Sequence, residues 1–277
     1  MPVVTATLTL MIFAAGTAAG SLGAVLGLGG GVFLVPFFNL VLGFPFSVAA
    51  AISLTTVIAT SSTVSAGRAG KQLINMKLGM LLEVATAAGS FLGGVTAQFV
   101  SQSVLQKLFG FVAVIVALIM LSRLRRRNVI LDPAADPGVL GGRYHEDESG
   151  GTVTYRVKRL PLAVVASFVA GNVSSLLGIG GGIIKVPVLN AWCGIPLRAA
   201  AATSAFMIGV TATAGATIYY GHGQLEPTLA AAAVLGVQLG SWGGLRFGAA
   251  ASVKWLKILM AVALFIVSIM MFMRGGR

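Results

Sequence analysis

The sequence has little charge and very little acid. Only 9% of its 277 residues are charged, and seven of them are Asp or Glu. A soluble domain carries about 25% charged residues. There is one cysteine, Cys193, which excludes an internal disulfide and any cysteine-based metal site. The two histidines, His145 and His222, are far apart in loop-like sequence and do not suggest a metal centre. No cofactor is expected. The apolar segments contain no His, Asp or Glu pair, so an intramembrane enzyme would lack its nucleophile and base. The chain therefore reads as a non-enzyme. No Lys or Arg precedes Arg68, so residues 4–26 lack the positive start of a secretory signal and read as a retained helix. The ~10-residue alternating segments of a transmembrane barrel are also missing.

What remains is apolar. Hydrophobic residues make up 57% of the chain and the mean hydropathy is +0.95. Apolar segments fall at about 4–26, 32–43, 46–66, 78–100 and 104–122, then at 161–177, 183–193, 198–219, 228–247 and 253–273. A segment in lipid must satisfy its own backbone, so these read as helices. The net charge of +12 lies mostly in the gaps between apolar runs. That distribution fits orientation by the positive-inside rule and not nucleic-acid binding. The lipid bilayer is the first partner implied.

The chain is duplicated. Gly27-Leu28-Gly29-Gly30-Gly31 is followed by Pro36, and Gly178-Ile179-Gly180-Gly181-Gly182 by Pro187. The offset is 178 − 27 = 151. At that offset Asn39 matches Asn190, Gly43 matches Gly194, Pro45 matches Pro196, Ser53 matches Ser204, Gly89 matches Gly240 and Gly93 matches Gly244. This defines a first membrane repeat at 1–122, a connector at 123–160 and a second repeat at 161–277. The connector opens with Arg123, Arg125, Arg126 and Arg127, holds the acidic knot Glu146-Asp147-Glu148, and closes with Arg156, Lys158 and Arg159. It is a polar connector with no composition to support a folded domain, and its Lys and Arg residues put it in the cytoplasm.

Segments 32–43 and 183–193 are too short to span, since a dozen residues reach only about 18 Å. With the glycine break before each, they read as half-helices of a hairpin that makes no net crossing. Three spanning helices then remain per repeat, an odd number, so the repeats are inverted. The fold expected is an all-α polytopic membrane protein built of two inverted repeats. On this topology the loop with Arg68, Lys71 and Lys77 falls inside, with that of Arg246, Lys254 and Lys257. The loop with His222 and Glu226, and the terminal Arg274 and Arg277, fall outside.

Broken helices in inverted repeats recur in transporters, with substrate near the membrane midplane. A glycine run frees backbone N–H groups, and the half-helix after it aims its positive end at the break. Gly29, Gly30 and Gly31, with Gly180, Gly181 and Gly182, are therefore candidate contacts for a small anion. No strand precedes either run and no Gly-Lys-Ser/Thr follows, which excludes a nucleotide loop. The alternative is that the glycines serve helix packing. Lys185 lies inside the second half-helix, and its counterpart is Leu34. It either faces the site, supplying charge for an anion, or snorkels to an interface. Asn39 and Asn190 either donate to an oxyanion or cap a half-helix. Ser53 and Ser204, with Thr55, Thr56 and Thr203 nearby, either line a pathway or bond across helices. Gln98 and Gln238 are weaker candidates. Glu83 is the acid inside an apolar run, and either carries a coupled proton or pairs with Lys77 near the surface.

These paired Gly-x-Gly-Gly-Gly-x-x-x-x-Pro motifs resemble the sulfite exporter TauE/SafE family. So do the Asn three residues after each proline and the Gly-x-Pro before a small-residue helix. The likeness extends over nearly the whole chain apart from 123–160. It implies a bacterial inner-membrane permease, a secondary carrier exporting sulfite, an organosulfonate or a related anion. Lys185 breaks the symmetry of the motif. The competing readings are an anion channel with the same breaks as its filter, and a membrane scaffold.

Overall fold

A computed structural model describes residues 5–26, 29–68, 73–122, 136–146, 151–247 and 253–275. Gly27, Lys71, Arg123, Arg125, Arg126, Arg127, Asp147, Glu148 and Arg277 lie outside the described residues, as do the side chains of Arg68, Glu146, Lys254 and Lys257.

The first repeat comprises α1 (Ala6–Leu26), α2 (Gly31–Pro36) running on as a π-helical turn (Phe37–Val41), α3 (Phe46–Arg68), α4 (Met76–Phe99) and α5 (Gln102–Ser122). The second comprises α6 (Leu160–Leu177), α7 (Gly182–Ala191), α8 (Leu197–Gly221), α9 (Pro227–Phe247) and α10 (Val253–Arg274). Six of these, α1, α3, α4, α6, α8 and α9, are long and apolar enough to cross a membrane. The protein is an all-α polytopic membrane protein. Its long helices carry bulky apolar side chains outward, among them Phe91, Phe99, Leu118 and Phe272, as lipid-facing surfaces do. The two short helices follow the glycine runs, as their length and prolines require.

Packing respects the 151-residue offset. The α1 helix packs on α9, and its counterpart α6 packs on α4. In the second pair, methyls added at Gly89 and Gly93 would collide with the carbonyls of Phe168 and Asn172. In the first, Gly240 and Gly244 meet the carbonyls of Thr17 and Ser21, which are the same positions shifted by 151. Both registers advance together, so each pair runs parallel. Glycine permits the close backbone approach, as in membrane helix dimers generally.

The counterparts α3 and α8 cross each other. The α4 helix runs parallel to α8, since Gly79 faces Thr203 and Met207 while Gly94 faces Ile218. The Ser61 hydroxyl of α3 donates to the Ala205 carbonyl of α8, while Val57 and Ile208 meet at Gly180, so α3 runs antiparallel to α8. The counterparts α5 and α10 are antiparallel too: Ser103 bonds Gly275, while Ser268 bonds Gly110. Opposed counterparts are what an inverted duplication produces.

The connector contains more structure than its composition suggests. Gly142–Glu146 (β1) pairs antiparallel with Gly151–Tyr155 (β2), Tyr144 opposite Val153. Tyr144, Val153 and Tyr155 are buried with Leu78 and Leu82 of α4 and Cys193, Ala199 and Ala200 beside α7 and α8. Asn75, the N-cap of α4, donates to the Leu140 carbonyl at 2.8 Å and to the Tyr155 hydroxyl at 3.2 Å. The run Thr152-Val153-Thr154-Tyr155, β-branched and aromatic, is the local signal for the strand.

Candidate functional site

The two glycine breaks meet. A methyl on Gly31 would stand 2.6 Å from the Gly178 carbonyl and 2.7 Å from Ser53 Oγ. The Ser53 hydroxyl donates to that same carbonyl at 2.6 Å. Gly29 and Gly180 both face Val57 of α3, and Gly180 also faces Ile208, the counterpart of Val57 on α8. Gly29, Gly30, Gly31, Gly180, Gly181 and Gly182 are all buried. Positive φ at Gly29 (77°) is matched at Gly180 (82°), and Gly181 (68°) is left-handed as well, conformations in which a side chain is strained. Each half-helix starts alike: the amides of Phe33 and Leu34 donate to Gly30, and those of Ile184 and Lys185 to Gly181.

Asn39 and Asn190 bond to their own chain. The Asn39 amide donates to the Phe44 carbonyl at 2.8 Å, and the Asn190 amide to the Ile195 carbonyl at 2.8 Å. These are equivalent positions, closing the turn that ends each half-helix. Gln106 donates to Asn39 Oδ1 at 2.8 Å. Their geometry is the capping alternative, at the outer ends of the half-helices and away from the breaks.

The serines differ. Ser53 is committed to Gly178, whereas the buried Ser204 Oγ has no hydrogen-bond partner among the described residues. Ser174 Oγ and Ser175 Oγ, before the second break, are likewise buried and unpartnered. The Thr203 hydroxyl accepts from the Asn75 backbone N–H and the Thr56 hydroxyl donates to the Ser53 carbonyl, so these two bond within the scaffold. Gln98 accepts from Gln224 at 2.6 Å where α4 and α8 end, and Gln238 is exposed.

Lys185 does not snorkel. It is 1% exposed, and its Nζ reaches Thr211 Oγ1 of α8 at 3.4 Å. The Thr211 hydroxyl lies 2.8 Å from Glu83 Oε1 on α4. Glu83 is buried, and its Oε2 has no partner among the described residues. Its charged neighbour is thus Lys185 through Thr211, and Lys77 is exposed one to two turns away. Thr211 was not a sequence candidate. The signal for it is its counterpart Thr60 at the same offset, a buried hydroxyl on α3.

Thr60 lines a small, water-sized cavity of about 10 Å³ with Gly23, Gly29, Val57, Ser61 and Ile208. Shifted by 151, Thr60 becomes Thr211 and Gly29 becomes Gly180. Thr211, the counterpart of Thr60, is the residue that both Lys185 and Glu83 reach. A larger open hollow of about 750 Å³ lies elsewhere, at the end of the first half-helix, beside Gln102, Gln106, Met270 and Arg274.

A bundle of spanning helices around two abutting helix breaks is the plan of a membrane permease. The family model for the sulfite exporter TauE/SafE matches residues 12–271, and the chain belongs to that family. It is 25% identical over 271 residues to Probable membrane transporter protein YunE of Bacillus subtilis (strain 168), covering 94% of this chain and 96% of the relative. It is 24% identical over 276 residues to Probable membrane transporter protein MJ0441 of Methanocaldococcus jannaschii, covering 94% of each. No solved structure matches it.

Proposed function

We propose that the protein is a secondary transporter of small sulfur-containing anions, sulfite or an organosulfonate, working by alternating access around the two glycine breaks. The observation that carries this reading is the contact of the breaks beside a buried lysine. The half-helices Gly31–Val41 and Gly182–Ala191 are about 16 Å and 15 Å long at 1.5 Å per residue. They enter from opposite faces, so the breaks fall near the middle of a ~30 Å hydrocarbon core. Helix starts, unpartnered serine hydroxyls and one ammonium group suit an oxyanion. Membership of a sulfite exporter family supports the substrate class. The burial of the six break glycines and of Lys185 favours a carrier over a channel, since a filter stays open to both faces.

The bacterial inner membrane, with the connector in the cytoplasm, is the setting we assign. Lys77, Arg143, Arg156, Lys158 and Arg198 gather on the connector face, and Glu226, His222, Lys107 and Arg274 lie at the other. That bias follows the positive-inside rule.

The test is flux into proteoliposomes over sulfite, thiosulfate, sulfate and sulfoacetate. At least one anion is expected to cross, and Lys185→Ala is expected to lose that flux. No flux with any of the four sinks the anion reading. Unchanged flux in Lys185→Ala removes the lysine from the site.

A further inference from the structure

We propose that Glu83 and Lys185 make the transporter a proton–anion cotransporter, with Glu83 carrying one proton in the same direction as each anion. The inference rests on the anion-transport reading above and names its coupling device.

Lys185 and Glu83 are both buried among apolar helices, and they do not touch. Thr211 stands between them. Its hydroxyl has one proton and two acceptors in reach, Glu83 Oε1 at 2.8 Å and the Met207 carbonyl at 3.1 Å. Its oxygen also receives the Lys185 ammonium at 3.4 Å. With Glu83 ionised, the chain runs ammonium to hydroxyl to carboxylate, and the lysine charge is balanced from within the protein. When a proton from water on one face adds to the unpartnered Oε2 of Glu83, the carboxylate becomes a neutral acid. The Thr211 hydroxyl turns to Met207, and the ammonium is left without a counter-charge. A substrate anion in the adjoining break then supplies it. Release of the anion at the other face restores the attraction between Lys185 and Glu83, and the proton leaves Oε2 to water there. No electron moves, and the net transfer is one proton with one anion.

Among the described residues no other charge is positioned to take over this role. Of the elements packed on α4, α6 carries no titratable side chain from Leu160 to Leu177. The α8 helix offers the exposed Arg198 at its start, and near its end Tyr219, whose phenol donates to the Ser175 carbonyl, and the exposed Tyr220. The hairpin's Tyr144 and Tyr155 lie against Leu78 and Leu82, in the first turns of α4. At the 151-residue offset Leu34, Val234 and Thr60 stand in place of Lys185, Glu83 and Thr211, so the other half has no such titratable pair.

The full-length protein in proteoliposomes separates coupling from transport. Counterflow of labelled sulfite, thiosulfate, sulfate or sulfoacetate at equal pH on both sides requires no net proton movement. Wild type failing with all four overturns the transport reading and this inference together. For an anion that exchanges, an outside-acid gradient is expected to drive its accumulation, with a trapped pH-sensitive dye reporting proton entry alongside it. Glu83→Gln, a fixed mimic of the protonated acid, is expected to retain counterflow while losing gradient-driven accumulation and the dye signal. Glu83→Asp is expected to regain both. Wild-type accumulation with a silent dye, or gradient-driven accumulation by Glu83→Gln, overturns the coupling and leaves the transport reading standing. If Glu83→Gln also loses counterflow, Glu83→Asp decides: a variant that exchanges anion without proton entry overturns the proposal.

Discussion

At the scale of single residues, the two asparagines illustrate what a repeat reveals. Asn39 and Asn190 are visible as a pair because they share an offset and follow a proline, but the offset alone does not separate a ligand from a cap. The structure gives both the same bond, across five residues to a carbonyl at the turn. Replacing Asn190 with Ala leaves the buried Ile195 carbonyl unsatisfied, at a cost of about 1–3 kcal/mol. The variant is expected to melt several degrees lower in detergent while keeping anion flux in the protein that stays folded; a flux loss at unchanged melting temperature would assign Asn190 to the substrate instead. Gly180→Ala combines a φ of 82° with a methyl 2.9 Å from Val57 Cγ1. Forcing Ala into that region costs about 1–3 kcal/mol, and its melting temperature is expected to fall with its flux. Lys185 and Glu83 were each legible as odd charges in apolar runs. Their pairing was not, because 185 − 83 = 102 residues separate them and neither has a charged counterpart in the other repeat.

Among the elements, the glycines on the long helices hold the parallel pairs together. Their spacing of four, Gly89 and Gly93 or Gly240 and Gly244, was readable as a packing face, although the partner helix was not, since the sequence names no contact between repeats. Gly89→Val is expected to push α4 from α6, and Gly240→Val to push α9 from α1, because the added side chain meets a backbone carbonyl in both cases. Overpacking of this kind costs about 1–3 kcal/mol or more. Both variants are expected to melt several degrees lower in detergent than the parent. An unchanged melting temperature would mean that the close approach is not required. The β-hairpin escaped the composition argument because it draws its stability from outside the connector: a lone hairpin is marginal, and this one buries Tyr144, Val153 and Tyr155 on α4 and α8. Burial also pushes the Tyr155 phenol above its ordinary range, so the hydroxyl that accepts from Asn75 stays neutral. Tyr155→Phe removes that acceptor, and protease cleavage of the connector is expected to become faster.

For the whole molecule, direction is the property that matters, because alternating access needs the two half-helices to enter from opposite faces. The second half-helix ends at Cys193 and Gly194, where the Lys158 amide donates to the Cys193 carbonyl and binds it to the connector. The first ends near Leu40, whose carbonyl accepts from Arg274 at the far end of α10. The α8 helix joins these levels: it starts beside the connector at Leu197 and runs 25 residues to Gly221, about 37 Å at the helical rise. The lone cysteine makes this easy to check, since Cys193→Ala leaves a cysteine-free chain. A cysteine placed at Val139, an exposed connector residue, is expected to react with an impermeant thiol reagent only from the cytoplasmic side. One placed at His222, exposed beyond α8, is expected to react only from the opposite side, and so is one at Val41, at the end of the first half-helix. Trp192, exposed at the end of the second, is expected to follow the connector. Labelling of Val41 and Trp192 from the same side would mean that both half-helices enter from one face, and the two breaks would then no longer serve one site from opposite directions.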